Sequence, residues 1–318
     1  MAARHARVAA GLAELERWLA DQVRQGLTVA GERDWADLAR RLVDAQAPGV
    51  AGVVSRLARV RAEDDWPERL LAEYALLHLL AVAYRRRDEL PEPLARTVLI
   101  RTGFPVTREE VLAGPAVRDR WDVLGRRDET QERLTARRVW LRGRVTGRAA
   151  LVLSFAPPDH PLDDSLVTGT VIDAGLTFYP GASPLRALVA TRHTSGDTPG
   201  RDTEPDRGVT DDIAPGRGGV AQPVFTAAPP GMSPEDAMDE VARALAGDPW
   251  IDSWPLVLAD VVPTSGMLGG FPLHPRTGVP WRLLAVSGGR SVTVAAEWTP
   301  QGLRPLTTWD DDGTAVIV

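Results

Sequence analysis

Arg138, Trp140, Arg142 and Arg144 stand at every second position of one segment, with Val139, Leu141 and Val145 on the alternate positions. In an extended chain successive side chains point to opposite faces, so three guanidinium groups and an indole would share one face and aliphatic groups the other. Arginine and tryptophan are frequent interface anchors because each combines a large contact area with directed polar groups. Three readings fit this segment: a solvated sheet face or internal domain contact, a strand that docks an acidic partner protein, or a nucleic-acid surface.

Other constellations are weaker. Carboxylates occur in pairs at Asp64–Asp65, Asp163–Asp164, Asp211–Asp212 and Asp310–Asp312, and glycoside hydrolysis needs two held across a cleft, which sequence alone does not place. Asp310 to Gly313 resembles the start of a calcium loop but lacks the alternating ligands and closing Glu, so a hairpin turn is the simpler reading. The five histidines, His5, His78, His160, His193 and His274, are scattered, with no zinc-pair spacing. His78 lies in an apolar helical run and reads as a core histidine bonded to a neighbour. Thr264 to Gly270 lacks the first glycine of a serine nucleophile elbow.

Composition excludes whole classes. The chain has no Cys, so disulfides, thiolate metal sites and cysteine nucleophiles are absent. It has no Lys or Asn, which removes Walker phosphate loops, Schiff-base enzymes and protein kinases. The net charge of −6 is far from the basic excess of a nucleic-acid-binding domain. No segment is apolar for long enough to span a bilayer, and the first residues lack the core of a signal peptide. A cytoplasmic, non-enzymatic protein without a cofactor is the expectation.

The elements that must position these residues fall into two parts. Up to about residue 135 the apolar residues recur every three or four positions, as in Val8, Leu12, Leu15, Leu19 and again in Leu70, Tyr74, Leu77, Ala81 and Tyr84. Helices are predicted over this whole stretch, including 94–101, 107–113 and 116–124. Period-two patterns follow: a hairpin over 138–155 turning at Gly147, strands at 167–172, 176–179, 185–190 and 256–262, and a closing meander of 281–286, 291–298, 303–309 and 314–318. Ser233 and Pro234 start one helix. Residues 194–231 lose apolar periodicity and are predicted to be a mobile insert. The expected fold is α+β, with a helical domain over 1–135 and an antiparallel β-rich domain over 136–318.

Several segments together resemble the region that follows the zinc motif in bacterial SWIM zinc finger family proteins. They include Arg7 to Leu19, Asp44 to Gly49, Trp66 to Leu70, Arg138 to Gly143, Phe178 to Ala182, Trp254 to Pro263 and Pro280 to Ala285. The resemblance spans nearly the whole chain. It implies either the C-terminal part of a longer protein or a product that begins after the zinc module, whose cysteines this chain does not have. It further implies an adaptor role beside a MoxR-type AAA+ ATPase and a von Willebrand A-domain protein. The alternative is a nucleic-acid-associated module working with a zinc finger, and the third reading is a hydrolase with an unrecognised carboxylate site. In the leading reading Arg138, Trp140, Arg142 and Arg144 dock the partner.

Overall fold

The structure, a computed structural model, describes residues 1–131, 134–157, 160–193, 224–225 and 227–318. Most of the expected insert at 194–231 lies outside these residues. The chain divides into two units, and neither is continuous in sequence. The first comprises Met1–Val111, Tyr179–Pro184 and Ala242–Ile251; the second comprises Leu112–Phe178, Leu185–Val241 and Asp252–Val318.

The first unit is built on α1 (Ala2–Gln25), α2 (Glu32–Asp44), α3 (Pro48–Val60), α4 (Trp66–Arg85) and α5 (Glu92–Thr102), with a 3-10 turn at Arg87–Glu89. The predicted stripes are the buried ones: Val8, Leu12, Leu15 and Leu19 of α1 meet Leu38, Leu42, Val54, Leu70 and Tyr74 in one core. Trp35 donates its indole N–H to the Tyr74 hydroxyl at 3.1 Å, which satisfies both buried polar groups. The two returning segments complete this unit. Ala182 N–H donates to Thr97 Oγ1 at 2.9 Å, Arg101 pairs with Asp248 at 3.1 Å, and the Trp250 indole donates to Leu76 O at 3.0 Å. His78 is not a core residue: its side chain is more than half exposed, because it lies on the outer side of α4.

A short α6 (Arg108–Leu112) leads out of the bundle, its start capped by Thr107, whose Oγ1 accepts from Glu110 N–H at 3.1 Å. The helix expected at 116–124 is instead part of β1 (Ala116–Gln131). Val117, Trp121 and Leu124 fit helical spacing, but Val117, Asp119, Trp121 and Val123 also alternate, and pairing with two neighbours decides between the patterns. The helical-to-β transition therefore lies near residue 112 rather than 135.

The second unit holds two main sheets. β1, β2 (Leu134–Gly143), β3 (Ala149–Ala156), β4 (Thr170–Phe178) and β5 (Arg186–Arg192) pair in the order β1-β2-β3-β5-β4, and β1 pairs with β4, which closes a five-stranded ring. All ring pairs are antiparallel except β3–β5. The two-residue β6 (Val224–Phe225) extends the β4 edge. Trp121, Val123, Val139, Leu141 and Leu176 fill the interior. α7 (Pro234–Gly247) starts at the expected cap, with Asp236 N–H donating to Ser233 Oγ at 3.1 Å.

The other sheet has the order β12-β11-β10-β7, from β7 (Trp254–Val261), β10 (Val292–Thr299), β11 (Gly302–Trp309) and β12 (Ala315–Ile317). The small ribbon of β8 (Met267–Leu268) and β9 (Phe271–Pro272) lies between β7 and β10 in sequence. The strand predicted at 281–286 is α8 (Trp281–Ser287), and β7 supplies the fourth strand of the sheet. Pro280 and the left-handed Gly288 bracket that helix, and these start and stop signals outweigh the β-prone composition between them.

Candidate interaction pocket

The strand that the sequence offers as a docking face is a wall of the core. Trp140 has no exposed surface and packs with Leu124, Leu151, Val257, Ala295 and Leu306. Arg142 forks onto Glu240 at 2.7 and 2.8 Å, and Arg144 holds Asp122 at 2.8 to 3.1 Å. The cause is position. β2 is paired on both edges, its Val139 and Leu141 face the ring interior, and its Trp140 faces the second sheet. A partner could reach Trp140 only by opening that core. Arg138 differs: it is half-buried and stands in register opposite Arg127 of β1.

Arg127 leads to a different site. A cavity of about 390 Å³ in the second unit is lined by Arg126 and Arg127 of β1, Arg276 of the 3-10 turn Pro275–Thr277, and Trp281 and Arg282 of α8. Pro305 and Leu306 of β11, with Ile317 of β12, form an aliphatic wall. Among the described residues the lining holds four arginines and no carboxylate side chain.

Each arginine is placed by backbone features. The β1–β2 register shifts between Val123 and Gly125, and a side chain at Gly125 would run into Leu306 Cβ at 2.6 Å. Glycine there lets β1 pass against β11 and sets Arg126 and Arg127 beside the aliphatic wall. Behind Arg127 lies Glu297 of β10, only 2% exposed, with its Oε2 3.2 Å from Arg127 Nε and 3.6 Å from Arg304 Nη1. Burial pushes the Glu297 carboxyl above its ordinary range, against the pull of Arg127, Arg304 and Arg138. A buried carboxylate with two guanidinium neighbours fixes the inner wall.

The loop that carries Arg276 is tied to β11. His274 N–H donates to Leu303 O at 2.8 Å, and Arg304 Nη2 lies 2.7 Å from His274 Nε2. Gly302, at φ 126°, permits this approach, since a Cβ there would meet Pro272 O and His274 N. α8 then buries Leu283 completely and leaves Trp281 73% exposed. Val279 and Ile317 are exposed on the same rim. Arg126 and Arg282 are exposed, and neither makes a hydrogen bond or ion pair among the described residues.

Sequence reasoning missed this pocket because it read Trp281 as a strand residue. The legible signal was the helix start at Pro280 and stop at Gly288, with Arg276 and Arg282 flanking Trp281. Among the described residues no group of three or more His, Asp or Glu stands together to hold a metal ion. The zinc ligands of the SWIM motif do not fit this chain, which has no cysteine. No described helix is long and apolar enough to cross a membrane.

Comparison with known proteins adds one finding. The family model of the SWIM-associated four-helix bundle domain matches residues 3–102, the span from α1 through α5. No curated protein and no solved structure matches the chain. The helical unit therefore carries a SWIM-associated four-helix bundle, consistent with the C-terminal region of SWIM family proteins.

Proposed function

We propose that this protein is a non-enzymatic interaction module that takes a partner protein at the arginine-lined pocket of its β-rich unit. The observation that carries this reading is Trp281, 73% exposed on a rim of four arginines with Val279 and Ile317 exposed beside it. Exposed apolar side chains gathered around a concavity mark interaction sites, and a central aromatic with arginines is the usual hot-spot composition. The family resemblance names the first partners to try, a MoxR-type AAA+ ATPase or a von Willebrand A-domain protein. A nucleic-acid-associated role would draw on the same arginines, but the net charge of −6 opposes it.

The test is affinity capture with a purified MoxR-type ATPase. The wild-type chain should retain it, and the double variant Trp281→Ala with Arg282→Glu should release it at an unchanged melting temperature, because both side chains are exposed. Undiminished retention by the variant would contradict the reading.

A further inference from the structure

We infer that the pocket recognises an acidic linear segment of a partner, one apolar side chain of which enters the cavity while its carboxylates meet the arginine rim. This rests on the interaction reading above and specifies its ligand. Two features of the cavity carry it together. Arg126, Arg127, Arg276 and Arg282 line one concavity that, among the described residues, has no carboxylate side chain in its lining. Arginine presents a fork of donors matched to carboxylate oxygens, so the rim favours a segment with acidic residues on both sides of its anchor. The wall of Pro305, Leu306 and Ile317 offers such a segment no hydrogen-bonding side chain, only apolar contact. Trp281 also lines the cavity, and about 390 Å³ accommodates one large side chain.

An extended polynucleotide fits this geometry less well. Single-strand binding surfaces track the backbone with successive aromatic platforms, whereas Trp281 is the lone aromatic among the described residues of the lining. The chain's net charge of −6 also repels a long polyanion at a distance. A short acidic segment experiences mainly the rim. Arg127 is partly occupied by Glu297, which makes it a fixed inner contact, and Arg126 and Arg282 are the outer grips.

The experiment is fluorescence anisotropy on the full chain with a labelled twelve-residue synthetic peptide, a central Leu flanked by Glu. Three comparison probes are the same peptide with Leu replaced by Ser, its charge-reversed Lys counterpart, and a single-stranded oligothymidine of equal charge. The Glu–Leu peptide should bind best and weaken with added salt. Arg126→Glu or Arg282→Glu should each weaken it about tenfold, the scale of a lost interface anchor. The Ser peptide should lose affinity for the wild type. Equal binding of the Lys peptide, tighter binding of oligothymidine, or unchanged binding by both arginine variants would overturn the proposal. ATPase capture that depends on Trp281 but is not competed by the Glu–Leu peptide would refute the acidic segment and leave the interaction reading standing. Capture indifferent to Trp281 would refute that reading itself.

Discussion

Asp119 on β1 is nearly buried, yet its carboxylate is surrounded by donors: Thr146 Oγ1 at 2.7 Å, Thr146 N–H at 2.8 Å, Val145 N–H at 3.1 Å and Arg120 N–H at 2.6 Å. Burial pushes its pKa up, but these hydrogen bonds outweigh burial and hold the group below the ordinary carboxylate range. A depressed folded-state pKa contributes stability that is present above the unfolded value and is lost as pH falls through the folded one. Asp119→Asn replaces one acceptor by an N–H₂ group facing donors, and should cost about 2 kcal/mol at neutral pH, the scale of a charge-assisted bond. Denaturant melts at pH 7 and pH 3 should show the variant losing less on acidification than the wild type. An equal loss in both would remove Asp119 as the cause. The hairpin turn that Asp119 holds was readable from Gly147 and from the alternation on either side. Its carboxylate clamp was not, because Asp119 and Thr146 are brought together only by the β1–β2 pairing. Trp140 shows the same limit: alternation says which side chains share a face, and only the second sheet decides that this face is covered.

Among the elements, α3 and α5 meet at glycine. A Cβ on Gly49 would overlap the carbonyl oxygen of Arg101 and lie 3.0 Å from Gly103 N, and backbone cannot swing aside as a side-chain tip can. Gly49→Ala should therefore cost about 1–3 kcal/mol, the usual scale of overpacking. Gly52 in the same helix has only the Arg56 guanidinium nearby, at 3.7 Å, so Gly52→Ala should be neutral or stabilising through helix propensity. Urea melts of the two variants compare them directly, and equal effects would show that the close approach is not what limits α3. The amphipathic stripes that build α1 to α4 are visible in the sequence because each helix buries one side against the others. The first half of β1, residues 116–124, and the helix α8 are misread for a common reason. Both stretches are apolar–charged mixtures that fit either period, and their state is settled by partners far away in the chain.

At the scale of the molecule, a boundary drawn along the sequence misses that both units are assembled from separated segments. Tyr179–Pro184 and Ala242–Ile251 return to the helical unit, where Trp250 reaches Leu76 and Asp248 meets Arg101. Composition marks neither return: Tyr179–Pro184 is too short for a periodicity of its own, and Ala242–Ile251 begins inside α7, whose helical pattern runs on across the boundary between the units. The pocket is likewise a product of long-range assembly, drawing Arg126, Arg276 and Ile317 from three stretches of the chain. Its four arginines give the second unit a local basic concavity on a chain of net charge −6. The central claim is that the partner engages this pocket and not the four-helix bundle. Hydrogen–deuterium exchange on the full chain, with and without captured ATPase, tests it most directly. Docking at the pocket should add protection in Pro275–Thr277, in Trp281–Ser287 and around Arg126 and Arg127; protection confined to α1 through α5 would contradict it.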